Sequence, residues 1–261
     1  MKALILSINS DIGKALAKDL QKRGYEIFGT YKTNKPKVNI MEENLFRFDI
    51  KDFDSERYKL WLKSIGEWDL FISCVGTQKP VGKFIDVEIN EWVEAVATNS
   101  CYQIAALINA IKIRTSTKHA DVIFFAGGGT NSANPYYSSY TLGKISLIKA
   151  VELLDNEIEF MKFTILGPGW VKTKIHEETI NAKDKAGENY KKTIEMINNP
   201  SKFNPMEKVI EDIYQIVSLP KELVSGRNFS SVHDDLSIDK LKKLKKLNVD
   251  FYKLRRLHNN Q

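Results

Sequence analysis

The chain has 261 residues, of which 43% are hydrophobic, 28% charged and 10% aromatic, and its formal charge is +6. Collagen, coiled-coil and disordered readings are excluded, and the length suits one α/β domain that buries a full core unaided. Two cysteines, Cys74 and Cys101, supply neither a disulfide framework nor a structural metal site, so no metal and a reducing compartment are expected.

The apolar run Ala3 to Ile8 is short for a signal-peptide core, and no stretch approaches the roughly 18 apolar residues of a membrane span. A soluble, cytoplasmic protein without membrane partners is expected. The run itself, bounded by Asn9-Ser10, predicts a strand buried on both faces. Ile12, Ala15, Leu16 and Leu20 follow at helical spacing, with Ser10 and Asp11 as capping residues and Gly24 as the stop. Tyr25 to Tyr31 resumes a strand, which completes a strand-helix-strand unit.

The alternation continues with a strand Leu45 to Ile50, a helix Ser55 to Ile65, a strand Asp69 to Cys74 and one long helix from about Glu88 to Ile113. A strand Asp121 to Ala126, a helix Tyr140 to about Glu157 and a strand Lys162 to Leu166 come next. Asn204-Pro205-Met206-Glu207 reads as an N-cap, a first-position proline and an acidic third residue, starting a helix through Val217. A last strand is expected over Arg227 to Ser231. The pattern predicts a Rossmann-type, doubly wound parallel sheet of about seven strands with helices on both faces, in a single domain over residues 1–261. Residues 170–205 lack a clear pattern and read as a substrate lid with short helices of its own. The tail, about 236–261, is basic: Lys240, Lys242, Lys243, Lys245, Lys246, Lys253, Arg255 and Arg256. A solvated helix with Leu241, Leu244 and Leu247 facing the body accounts for it better than nucleic-acid binding.

In a doubly wound sheet the ligand lies beyond the strand ends, and the first strand-to-helix turn cradles phosphate with free helix N–H groups. Here that turn is Ser7-Ile8-Asn9-Ser10-Asp11-Ile12-Gly13, which keeps only Gly13 of the glycines such turns carry. Tyr140 and Lys144 stand one helical turn apart on one face, after a strand and a loop; Tyr31 and Lys35 share the spacing but not the setting.

Together these segments resemble the short-chain dehydrogenase/reductase family over nearly the whole chain, as an atypical member. Tyr140-Thr141-Leu142-Gly143-Lys144 matches its Tyr-x-x-x-Lys, and Ser7 to Gly13 stands at its glycine-rich turn. Asp49-Ile50 stands where the family contacts adenine, Ser73-Cys74-Val75-Gly76 replaces its Asn-Asn-Ala-Gly, and Asn99 corresponds to its catalytic-helix Asn. Pro168-Gly169-Trp170-Val171-Lys172-Thr173 fits its Pro-Gly-x-x-x-Thr, which holds the nicotinamide amide.

The resemblance implies hydride transfer between a nicotinamide cofactor and a carbonyl or secondary alcohol. Tyr140 would be the general acid and base, Lys144 would lower its pKa and hold the nicotinamide ribose, and Asn99 would hold a relaying water. The family's catalytic Ser is missing, because its usual place falls on Gly127. One lost oxyanion donor costs about 2.7–4 kcal/mol, and Thr130 is the first candidate to replace it, before Ser132 or a nest of glycine N–H groups. Tyr31-Lys32-Thr33 ends the second strand without a carboxylate, and Lys32 would pair with a 2′-phosphate, so NADP(H) is favoured over NAD(H). Lys172, Lys174, His176, Arg255 and Arg256 are candidates for an anionic substrate. The glycine-rich loop and Arg-Arg tail resemble short-chain reductases of bacterial surface-polysaccharide pathways, which implies a sugar or nucleotide-sugar substrate. A homodimer or homotetramer packed through the helices beginning near Glu88 and Tyr140, with Cys101 and Ile104 at the seam, is also implied. The alternative is a catalytically weak or silent NADP(H)-binding sensor or scaffold.

Overall fold

The computed structural model describes residues 1–256; of the expected tail, residues 257–261 lie outside the described residues. Seven strands, β1 Lys2–Leu6, β2 Glu26–Tyr31, β3 Leu45–Arg47, β4 Leu70–Ser73, β5 Ala120–Phe125, β6 Met161–Gly167 and β7 Arg227–Ser230, form one sheet. The order is β3-β2-β1-β4-β5-β6-β7 and every pairing is parallel. The helices are α1 Asp11–Lys22, α2 Glu56–Ile65, α3 Ile89–Asn99, α4 Cys101–Lys112, α5 Ser138–Glu157, α6 Ile175–Ala182, α7 Glu188–Asn198, α8 Met206–Ser218, α9 Lys221–Val224 and α10 Ile238–Leu247.

Strand side chains alternate faces, so a strand covered on both sides must be apolar throughout and feed two cores. In β1, Ala3 and Ile5 enter one cluster with α1 and α8, while Leu4 and Leu6 enter the other with α2, α4 and α5. Phe71 and Phe124 are fully buried in the second cluster, each worth about 1.5–3 kcal/mol of apolar transfer. Strand order reverses at β1 and β4, so the chain segments leaving them, Ser7 onward and Cys74 onward, flank one crevice.

Local signals place α1 as expected. Ser10 is its N-cap, its Oγ accepting from Gly13 N at 3.0 Å, and Gly24 ends it at φ +84°. The long helix expected from Glu88 to Ile113 is instead two, broken at Ser100 with φ −144° and ψ −83°. The break survives because side chains satisfy the released carbonyls: Asn99 Nδ2 donates to Ala95 O at 2.9 Å and Ser100 Oγ to Val96 O at 2.6 Å. The strand expected to reach Ile8 stops at Leu6, since Ser7 turns the chain at φ +58°. The third expected strand closes early because Asp49 caps a 3-10 turn at Ile50–Asp52.

Asn204 is not the N-cap of α8; Pro205 is, and the Asn204 amide donates to Pro168 O at 2.8 Å. In α10, Leu241 is buried and Leu244 packs on the first cluster, while Lys242, Lys243 and Lys246 face solvent. Leu247 does not face the body: it is 75% exposed, because the helix ends there and Asn248 turns into extended backbone. Residues 170–205 do carry helices, α6 and α7. No helix among the described residues is long and apolar enough to cross a membrane.

Candidate active site

Tyr140 and Lys144 occupy one face of α5 and are both buried, with Lys144 Nζ 5.9 Å from the Tyr140 ring centroid. Lys144 Nζ donates to Val75 O at 3.2 Å, which ties α5 to the segment leaving β4. Asn99 joins them from α3: a β-carbon on Gly76 would lie 3.5 Å from Lys144 Nζ and 3.6 Å from Asn99 Oδ1. Gly143 permits this approach, because a β-carbon there would come within 2.6 Å of Asn99 Cβ.

The Asn99 amide is already committed, however. Its Oδ1 accepts from Thr77 N at 3.1 Å, and its Nδ2 donates to Thr77 O at 2.8 Å as well as to Ala95 O. Its side chain therefore braces the 77 loop and the α3 break, with both Nδ2 protons used and one Oδ1 lone pair left over. The charges also differ from expectation. Burial pushes the Tyr140 hydroxyl up to about 12, with the Glu178 carboxylate adding to the effect. Burial likewise pulls Lys144 down to about 8, while the tyrosine's shift comes from burial and Glu178, with no lowering by Lys144.

Gly127 adjoins Tyr140 directly. A β-carbon at 127 would come within 2.6 Å of the Tyr140 ring carbons Cε1 and Cζ and would overlap the hydroxyl oxygen. Thr130 lies partly buried in the turn beyond, and Ser132 is exposed. The segment that covers Tyr140 comes from α6 and α7: Val81, Tyr137, Tyr140 and Ala186 form a small apolar cluster, with Tyr136, Ile175, Ala182 and Tyr190 against it. Glu178 is the residue that sequence reasoning missed. It accepts from Gln78 N at 2.5 Å and from Thr77 Oγ1 at 3.2 Å, while Thr179 bonds Tyr137 at 2.7 Å and Gln78 at 2.8 Å. Only a carboxylate beside a threonine on a helix marks it locally, and its partners lie about a hundred residues away.

A groove of about 450 Å³ runs from this site along the strand ends, lined by Ser7, Thr30, Tyr31, Lys32, Asp49, Ile50, Val75 and Gly76 among others. Seven of the residues expected at a cofactor thus share one groove. The first turn is less open. Ser7 N bonds Thr30 Oγ1 at 3.1 Å, Asn9 Nδ2 bonds Asn34 O at 2.9 Å, and Asp11 Oδ2 accepts from Lys174 N at 2.7 Å. Gly13 has no room for a side chain, a β-carbon lying 2.7 Å from Ser7 O, and Ile12 packs on the first cluster. Lys32 Nζ is paired with Asp49 Oδ2 at 3.0 Å, and Thr33 is exposed beside it. On the far side, Val171 is buried in the first cluster, Thr173 O accepts from His176 N at 3.3 Å, and Pro168 and Gly169 form the turn between them and β6.

The expected anion receptors are not gathered here. Arg255 binds Glu152 at 2.5 Å and Asp250 at 2.8 Å at the other end of α5. His176 is stacked on Trp170 at 5.0 Å with its Nε2 against Val171 O at 2.8 Å. Lys172 and Lys174 remain exposed.

The sequence model described as enoyl-(acyl carrier protein) reductase matches residues 7–205. The chain is 25% identical, over 234 residues, to the 3-oxoacyl-(acyl-carrier-protein) reductase FabG of Buchnera aphidicola, covering 86% of this chain and 92% of that protein. The solved short-chain dehydrogenase/reductase YIR035C of Saccharomyces cerevisiae superposes with a TM-score of 0.75 at 18% identity, covering 90% of this chain and 98% of that one. An ElxO variant with NADPH bound superposes with a TM-score of 0.71 at 19% identity, covering 88% and 96%.

Proposed function

The chain is an oxidoreductase of the short-chain dehydrogenase/reductase family, and from that premise we propose that it is an NADP(H)-dependent enzyme interconverting a carbonyl and a secondary alcohol. The observation that carries the reading is the burial of Tyr140 and Lys144 side by side, at the end of the groove lined by Lys32, Asp49, Val75 and Gly76. The groove fits an adenosine, and Gly76, open toward Lys144 and Asn99, fits the nicotinamide ribose.

Bound there, the nicotinamide supplies or accepts the hydride. Lys144, placed on Val75 O, would hold the ribose, Pro168 to Thr173 would hold the amide, and the Ser7 to Gly13 turn would take the pyrophosphate. Tyr140, protonated at neutral pH, would donate its hydroxyl proton to the substrate oxygen in reduction and take it back in oxidation. Thr130 is the candidate second donor, in place of the hydroxyl that Gly127 lacks. Residues 170–205 act as a lid: α6 is latched over Tyr140 by Glu178 and Thr179, and it must lift to admit substrate. The polar and aromatic cover of Gln78, Tyr137, Thr179 and Tyr190 supports a hydroxyl-rich carbonyl such as a keto sugar, and Glu178 beside Tyr140 argues against an anion there.

NADPH is favoured over NADH because Tyr31, the last residue of β2, is followed by Lys32 and Thr33 without a carboxylate. Exposed Val93, Ile108, Leu142 and Leu153 on α3, α4 and α5 support a homodimer or homotetramer. A second reading, a silent NADP(H) binder, is favoured by the unavailable Gly127 position alone. Nicotinamide fluorescence titration with NADPH and NADH tests the cofactor reading: tighter binding of NADPH supports it, and binding of neither nucleotide overturns it.

A further inference from the structure

Asn204 sits where a helix cap was expected and serves a different end. Its backbone N donates to Trp170 O at 2.7 Å, and its Nδ2 donates to Pro168 O at 2.8 Å. It therefore grips the Pro168-Gly169-Trp170 turn on both sides of Gly169. That glycine stands at φ +73°, and a β-carbon on it would overlap Val232 Cγ2.

The amide orientation is imposed from beneath. Asn204 Nδ2 also donates to Ser231 Oγ at 3.0 Å, and the Ser231 hydroxyl donates to Asp212 Oδ2. A carboxylate offers no proton, so the serine proton points to Asp212 and only a serine lone pair faces Asn204. Asn204 must then present its NH2 group rather than its oxygen, both to Ser231 and to Pro168 O. Asp212 and Ser231 are buried, with Lys208 as the counter-charge of Asp212 on its other oxygen. Ser231 N donates to Gly167 O at 2.9 Å, fixing the relay to the end of β6.

We infer that Asn204 is a positioning residue for the nicotinamide-binding turn, oriented by a Ser231–Asp212 relay. The inference rests on the reading that this turn holds the nicotinamide end of the cofactor. Asn204→Asp keeps the shape but cannot donate to Pro168 O, and Ser231→Ala removes the relay, whereas Ser231→Thr keeps the hydroxyl.

The test titrates each variant with NADPH and with 2′,5′-ADP, which carries the adenosine half alone. Asn204→Asp and Ser231→Ala are expected to weaken NADPH about five- to tenfold, the worth of one net hydrogen bond, with 2′,5′-ADP unchanged and Ser231→Thr restoring the wild-type value. Thr173→Ala reports on the turn independently. If it weakens NADPH while Asn204→Asp and Ser231→Ala do not, the inference falls and the reading of the turn stands. If none of the three changes NADPH relative to 2′,5′-ADP, the turn does not hold the nicotinamide and both fall. Should Asn204→Asp fail to fold, the Ser231→Ala and Ser231→Thr pair decides alone.

Discussion

The phenol of Tyr140 occupies the space that a side chain at Gly127 would need. The missing serine is thus more than a lost donor, because the tyrosine has settled against the backbone where that donor would stand. Introducing Gly127→Ser is expected to overpack the site and lower stability by about 1–3 kcal/mol without raising turnover. Thermal melts and carbonyl-reduction rates check this. An unchanged melt with a faster rate would mean that Tyr140 moves aside readily and the site accepts the familiar donor.

Lys32 and Asp49 are paired at the expected 2′-phosphate position, so the lysine charge is partly spent within the protein. Removing the carboxylate by Asp49→Asn is expected to tighten NADPH relative to NADH by up to about fivefold, since an exposed pair of this kind is worth about 0.2–1 kcal/mol. Lys32→Met is expected to reverse the ratio. Fluorescence titration with both nucleotides checks it, and a ratio indifferent to both changes would remove Lys32 from the phosphate site.

Burial holds Lys144 at about 8, against 10.5 for a free lysine. Between those values the unfolded chain binds more protons than the folded one, so stability from this group rises with pH across the window. Below about 8 the full cost of burying the ammonium is present. Lys144→Met is therefore expected to melt above wild type at pH 7, by the equivalent of up to about 3 kcal/mol, with the advantage shrinking toward pH 10.5. Melts at stepped pH values check this, and a variant that melts lower than wild type at pH 7 would contradict it.

Much of this molecule was legible because its signals are local. Ala3 to Leu6 had to be a strand buried on both faces, Ser10 and Gly24 bound α1, and Tyr140 and Lys144 read as a pair because a helix places them on one face. What escaped depends on contacts between distant segments. The Asn99 amide beside the break at Ser100 is held by Thr77, Glu178 finds Thr77 and Gln78 only once α6 docks, and Asn204 left its capping role for Pro168 O. Lys32 looked free because the sequence does not reveal that β3 delivers Asp49 beside it. The raised tyrosine pKa is hidden from the sequence for a related reason: spacing shows which charges are near, whereas burial, the larger effect here, is set by the cover from α6 and α7.

The central claim is that Tyr140 is the proton donor of an NADPH-dependent reduction, and one comparison tests it most directly. Wild type and Tyr140→Phe are each mixed with NADPH and a panel of keto sugars, simple ketones and a 3-oxoacyl thioester, while nicotinamide absorbance and emission are followed together. Both proteins are expected to bind NADPH alike, and only wild type is expected to oxidise it. Equal turnover by both proteins would contradict the claim.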